Sequence, residues 1–252
     1  MVVVASVALV FFALPFLGLL QRTAWSQLGH DLGTEESVEA LKLSLLTSLA
    51  STVVVVLFGT PLAWLLARTE VPGRSLLRGL VLLPMVLPPV VGGVALLSAF
   101  SLRSPLGGWL HDVFGLQLTY SAKGVVLAET FVAMPFFVIT VEAALRNVDQ
   151  RYEQVAAGLG ASRSTVFRRV TLPMIAPSVG AGAVLAWARA LGEFGATITF
   201  AGNIVGRTQT LPLAVYLKLE GDPEAAIALS LVLLLVSFTV LVLLRDKWLV
   251  RP

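Results

Sequence analysis

Three ionisable residues sit where the sequence is otherwise apolar: Glu129, Arg189 and Glu193. Charged side chains in such surroundings are costly and normally face a partner or a water-filled cavity. Arg189 and Glu193 stand four apart, the spacing that lets two side chains pair along one helix face. Two uses stay open: lining or bracing an ion path, or forming a structural ion pair near a membrane boundary. Bond-making chemistry finds no such support. There is no G-x-x-x-x-G-K-[ST] loop to hold ATP phosphates, no G-x-S-x-G elbow and no H-E-x-x-H zinc motif. Cysteine is absent, which removes disulfides, thiolate zinc sites and a cysteine nucleophile. His30 and His111 are isolated from one another and read as surface residues. The expectation is a chain with no catalytic residue, no metal and no cofactor of its own.

The elements that must position these groups follow from composition. The 252 residues are 57% hydrophobic and 13% charged, with a mean hydropathy of +0.88. Soluble domains run at about 25% charged, so this surface faces mostly lipid. A transmembrane barrel would alternate apolar and polar residues in short segments. Continuous runs such as Leu229–Leu244 do not, and the fold class is all-α and polytopic. A crossing needs about 20 apolar residues, and six segments qualify: Val2–Leu20, Leu43–Ala67, Gly79–Ser101, Gly124–Val141, Pro173–Phe200 and Ala225–Leu244. The first lacks both a preceding basic residue and a clear small-residue cleavage site, so it reads as an uncleaved anchor. Residues 1–252 form one membrane domain.

Two of these segments carry helix breakers. The third contains Pro84, Pro88 and Pro89, followed by Gly92 and Gly93. Proline removes an amide donor and clashes with the preceding turn, and the freed carbonyls must face protein or a water-filled path. A kinked packed helix and a broken, pathway-lining helix both fit. The fifth carries Gly180, Gly182, Gly192 and Gly195 beside Arg189 and Glu193. Between spans, Leu106–Tyr120 mixes Gly107, Gly108, Trp109, Phe114 and Tyr120, a composition suited to the membrane interface.

Lysine and arginine placement sets orientation. One side gathers Arg68, Arg74 and Arg78, then Arg146, Arg151, Arg163, Arg168 and Arg169, then Arg245, Lys247 and Arg251. The other holds Arg22, Lys42, Arg103, Lys123, Arg207 and Lys218, with the acidic group Asp31, Glu35, Glu36 and Glu39. The richer side is cytoplasmic, and both termini lie on it.

The segment of about 142–172 is a polar island on that side. Within it Tyr152, Val155, Ala156 and Leu159 fall at i, i+3, i+4 and i+7, one apolar stripe on a short helix. Asn147 or Asp149 can cap that helix and Gly160 suits the left-handed position that ends it. Ser162 can cap a second short helix, and Leu172-Pro173 opens the next span. A loop that only joined two spans would need no stripe, so a partner is expected there.

The island resembles the cytoplasmic signature of ABC importer permeases: E-A-A, three residues, G, nine residues, I-x-L-P. Here the positions are Gln154, Val155, Ala156, Gly160, Val170, Leu172 and Pro173, with spacing intact and three substitutions by residues of similar size or polarity. Gln154 replaces a carboxylate, with Glu153 beside it. The runs Leu83–Gly93 and Ala188–Phe200, and Asn203–Tyr216 with its Thr210-Leu211-Pro212-Leu213, look like molybdate-transporter permeases, with sulfate and tungstate permeases next. The resemblance implies a type I importer permease working as a homodimer in the inner membrane. An extracytoplasmic protein would deliver the oxyanion, and two cytoplasmic ATPase subunits would hold ATP and Mg²⁺. No nucleic acid is expected as a partner.

It also implies a coupling segment formed by Tyr152, Glu153, Gln154, Val155, Ala156, Leu159 and Gly160. The stripe would divide between an ATPase groove and the base of the membrane helices. Pro84, Pro88, Pro89, Gly92, Gly93, Glu129, Arg189, Gly192, Glu193 and Gly195 are the pathway or hinge candidates. Sulfate or thiosulfate is the alternative cargo. An ion-coupled secondary transporter using Arg189, Glu193 and Glu129 is the rival mechanism.

Overall fold

The computed structural model describes residues 1–70 and 72–248. Arg251 of the basic tail lies outside them, as do the side chains of Arg245 and Lys247. Among the described residues the chain is helical with no strand. In order the helices are α1 Val2–Arg22, α2 Leu28–Gly33, α3 Glu35–Arg68, α4 Arg74–Val86, α5 Pro89–Phe100, α6 Pro105–Phe114 and α7 Ala122–Asn147. Then follow α8 Arg151–Gly158, α9 Arg163–Val166, a π turn Phe167–Thr171, α10 Leu172–Leu191, α11 Gly195–Phe200, α12 Leu211–Gly221 and α13 Pro223–Trp248.

Hydroxyl residues start several of them. The side chains of Thr34, Ser104 and Ser121 accept from the free amides of Ser37, Gly107 and Gly124, at 3.3, 3.0 and 3.2 Å, which satisfies orphan donors at the helix N-termini.

The core is a three-helix stack of α3, α7 and α10, centred on the fully buried Phe137. A Cβ on Gly59 of α3 would lie 2.6 Å from the Phe137 ring, and one on Gly182 of α10 would lie 3.2 Å from it. The two glycines let α3 and α10 close on the aromatic from opposite edges, the small-residue packing that membrane helices use. Beyond this stack, α5 packs on α11, and α12 and α13 join α3 through Ala40, Leu211, Ala214 and Leu229. Helix α1 touches α13 and buries no residue.

Among the described residues five helices have the length and composition to cross a membrane, and a sixth crossing requires a bent pair. The third predicted span is broken rather than merely kinked. Leu87 and Pro88, each preceding a proline, are both extended, because the proline ring disfavours the helical region for the residue before it. The result is α4 and α5, and α5 with α6 forms the pair, bent by 57°, that together has the span's length. The predicted interfacial stretch thus contains the ordered helix α6. The fourth span runs to Asn147, so Glu142 and Arg146 belong to α7 and not to the island.

The fifth predicted span needs two corrections. It begins at Arg163, because the turn capped by Ser162 continues through the π turn into α10. It is therefore not a separate short helix. Pro173 has no N–H to return to the turn before it, and Leu172 donates five residues back to Phe167. The span ends at Leu191, where Gly192, Glu193 and Phe194 interrupt the helix before α11.

Candidate functional site

Two places collect the residues singled out above. The first is a knob where α3 and α7 finish and α10 begins. The Asp149 side chain accepts from the Arg151 amide at 2.9 Å and starts α8. Gly160, at φ +86°, ends it. Its amide donates to Ala157 at 3.0 Å and that of Ala161 donates to Ala156 at 3.1 Å, the paired bonds of a Schellman cap. Asn147, the other proposed cap, is the last residue of α7. The Thr165 amide donates to Ser162 Oγ at 3.3 Å, so the predicted second cap forms.

The apolar stripe does not divide as expected. Tyr152, Val155 and Leu159 are 58%, 63% and 84% exposed, and only Ala156 turns partly inward. The inward attachment is polar instead. Glu153 Oε1 pairs with Arg68 Nη2 at 3.2 Å and accepts from Thr171 Oγ1 at 2.9 Å. Arg68, its side chain 6% exposed, also donates to the Val148 carbonyl at 3.2 Å. Glu153 thereby ties α8 to the end of α3 and to the π turn that leads into α10. Gln154 and Gly160 are exposed.

Next to it, the buried Glu142 carboxylate receives Arg78 of α4 at 3.0 Å and Arg146 one turn on at 2.8 Å. The Arg146 pair is also hydrogen-bonded, through Nε at 3.0 Å and Nη2 at 2.8 Å, and hydrogen-bonded charge pairs are stronger than neutral ones. Sequence spacing carries a signal for Arg146, which is four residues from Glu142. None exists for Arg68 or Arg78, whose partners are far along the chain.

The second place is a cleft of about 290 Å³ where the two helix breaks meet. It brings together Pro89, Arg189, Gly192, Glu193 and Gly195, with Val90 and Phe194. Arg189 Nη2 and Glu193 Oε2 form the predicted pair at 2.6 Å, a contact without hydrogen-bond alignment. The other Glu193 oxygen accepts from the Ala196 amide at 2.8 Å and starts α11. The carboxylate therefore serves a cation and a helix end at once.

A Cβ on Gly195 would lie 2.7 Å from Pro89, and one on Gly93 would lie 2.6 Å from Thr199. The glycines hold α5 and α11 in contact. The other candidates lie elsewhere. Gly92 packs on the Phe131 ring, Pro84 lines a separate apolar cleft against α7, and Pro88 sits in the break itself.

Glu129 is buried, with Oε1 accepting from Thr47 Oγ1 at 2.9 Å and Oε2 unpartnered. It does not line the cleft. Among the described residues no group of three metal-ligating side chains converges.

The family model described as "Binding-protein-dependent transport system inner membrane component" matches residues 59–251. The "Molybdenum transport system permease protein ModB" of Mycobacterium tuberculosis is 49% identical over 235 residues, covering 92% of this chain and 88% of the relative. The "Sulfate transport system permease protein CysT" of Escherichia coli is 38% identical over 223 residues, covering 88% and 80%. The fold is that of a chain in the crystal structure of a bacterial alginate ABC transporter in complex with an alginate pentasaccharide-bound periplasmic protein. There the TM-score is 0.75 at 18% identity, over 96% of this chain and 91% of that one.

Proposed function

The chain belongs to the binding-protein-dependent transport system inner membrane components, and from that premise we propose that it is the permease subunit of an ATP-driven molybdate importer. It is a multi-pass membrane protein and a transport subunit rather than an enzyme. ATP and Mg²⁺ would sit on two separate cytoplasmic ATPase subunits, and an extracytoplasmic binding protein would hand over the oxyanion. Tungstate has the same shape and charge and would be carried too. Sulfate or thiosulfate is the second reading, favoured by the likeness to the sulfate permease; the higher identity to the molybdate permease favours molybdate. Six crossings make about half a pathway, so two copies would assemble. The basic residues around the knob support a cytoplasmic location for that end and for both termini.

The observation that carries the mechanism is the outward stripe on α8. Three large apolar side chains stand exposed on a short helix that Glu153 ties to two long membrane helices. Docking of an ATPase groove on Tyr152, Val155 and Leu159 would turn closure of the ATPases into movement of α3 and α10. The breaks at Leu87–Pro88 and Gly192–Phe194 would absorb that movement. The Arg189 cleft would then be a place an anion passes, and a deep site there would hinder release.

Val155→Glu tests the docking. The variant should insert and dimerise normally but lose co-purification of the ATPase subunits and binding-protein-stimulated ATP hydrolysis. Wild-type co-purification and stimulation would sink the assignment of α8.

A further inference from the structure

A groove of about 760 Å³ runs along the outside of the bundle between α3 and the continuous α9–π turn–α10 helix. Its floor is apolar, and its two ends differ. Val56 and Val179 line the deep end; Trp64 and Arg163 line the other, with Thr60 and Phe167 between. Thr60 Oγ1 donates to the Val56 carbonyl at 2.7 Å, so it offers the groove no free hydrogen-bond donor. Arg163 is exposed and has no carboxylate within ion-pair distance among the described residues. From Arg163 to Val179 the helix rises about 24 Å at 1.5 Å per residue, close to the depth of one leaflet with its headgroup region, about 20 Å. Tryptophan at the charged end matches the residue type that settles at headgroup level.

We infer that this groove holds a membrane phospholipid with an anionic headgroup, its phosphate on Arg163 and an acyl chain laid over Phe167 and Thr60 toward Val56. The polarity of the groove is that of the lipid, a cation at the surface end and hydrocarbon at the depth. The uncompensated Arg163 selects negative over zwitterionic headgroups. The inference rests on the orientation given under the proposed function, which puts Arg163 at the cytoplasmic surface. The lipid would sit against the helix that leads from the knob into α10, and movement of that helix would have to carry it.

The test is tryptophan quenching of the full-length chain in phosphatidylcholine nanodiscs. These would be titrated over the same range of mole fractions with either brominated phosphatidylglycerol or brominated phosphatidylcholine, and Trp64→Phe would isolate the signal of that residue. The wild type should show half-quenching of Trp64 at about fivefold less phosphatidylglycerol than phosphatidylcholine, the preference one arginine confers near an anionic surface. Arg163→Gln should abolish the difference. Equal quenching by both lipids, or a preference that survives Arg163→Gln, would overturn the site.

Absence of quenching by either lipid would also overturn it, since the groove would then be covered by a second copy of the chain. If Trp64→Phe fails to fold, counting phosphatidylglycerol retained by the wild type and by Arg163→Gln in native mass spectrometry gives the same decision. None of these readouts depends on transport, so failure here leaves the importer reading standing, and the reverse holds too.

Discussion

Glu153 and Glu193 each use one carboxylate to do two jobs. Glu153 holds a buried guanidinium and a threonine hydroxyl on two different helices, at 3.2 and 2.9 Å. Glu153→Ala should leave Arg68 buried without its charge partner and cost about 1–3 kcal/mol. Thermal unfolding would register that loss, and ATP hydrolysis should continue without driving transport. An unchanged melting temperature with normal coupling would mean that α8 is held some other way.

At the cleft, Arg189→Ala removes the cation from a Glu193 that is almost wholly buried. Breaking a buried pair from one side costs about 3 kcal/mol, so the single variant should assemble poorly. Arg189→Ala/Glu193→Gln should recover part of the yield, because the neutral amide oxygen still accepts from Ala196. A double variant no better than the single would show that Arg189 acts in some way other than neutralising Glu193. The Arg189–Glu193 pair was legible from its four-residue spacing; Glu153–Arg68 and Glu142–Arg78 were not, since tertiary folding brings them together.

At the scale of elements, the breaks are positioned as deliberately as the helices. The prolines are readable in the sequence as a kink or a break; the choice of a break at Leu87–Pro88, and its contact with the Gly192–Phe194 break, come only with the fold. Two glycines make that contact. Gly93→Val would push a branched side chain into Thr199 and the Ala196 carbonyl, which already lie 2.6 and 2.9 Å from where a Cβ would stand. Overpacking of this kind costs about 1–3 kcal/mol, and α5 should separate from α11. Protease accessibility of the loop between α5 and α6 would report the separation; wild-type protection would show that the two helices do not depend on close approach.

The knob divides similarly. Its caps and the Gly160 turn were visible as residue types, and all but Asn147 formed. The continuity of α9 with α10 was hidden, since Pro173 suggests a helix start and gives no sign of the π turn that lets the helix pass it. The stripe on α8 was visible, but not that nearly all of it would face outward.

At the scale of the whole molecule, low charge and six long apolar segments were enough for an all-α membrane domain. The knob signature was enough for the family. What the sequence leaves to folding is the linkage: α8 through Glu153 to α3 and α10, α10 through Gly182 and Phe137 to α7, and the far end of α10 to the paired breaks. Except at the end of α10, which runs straight into the Gly192–Phe194 break, each joint lies between residues distant in the chain.

This linkage would carry ATP-driven force from the knob to the path. Uptake of radiolabelled molybdate into proteoliposomes tests it most directly, with the chain reconstituted together with its ATPase subunits and binding protein. Uptake should require all three components and internal ATP, and should survive collapse of the proton gradient. Uptake that persists without the ATPase subunits, or that stops when the gradient alone is collapsed, would contradict it.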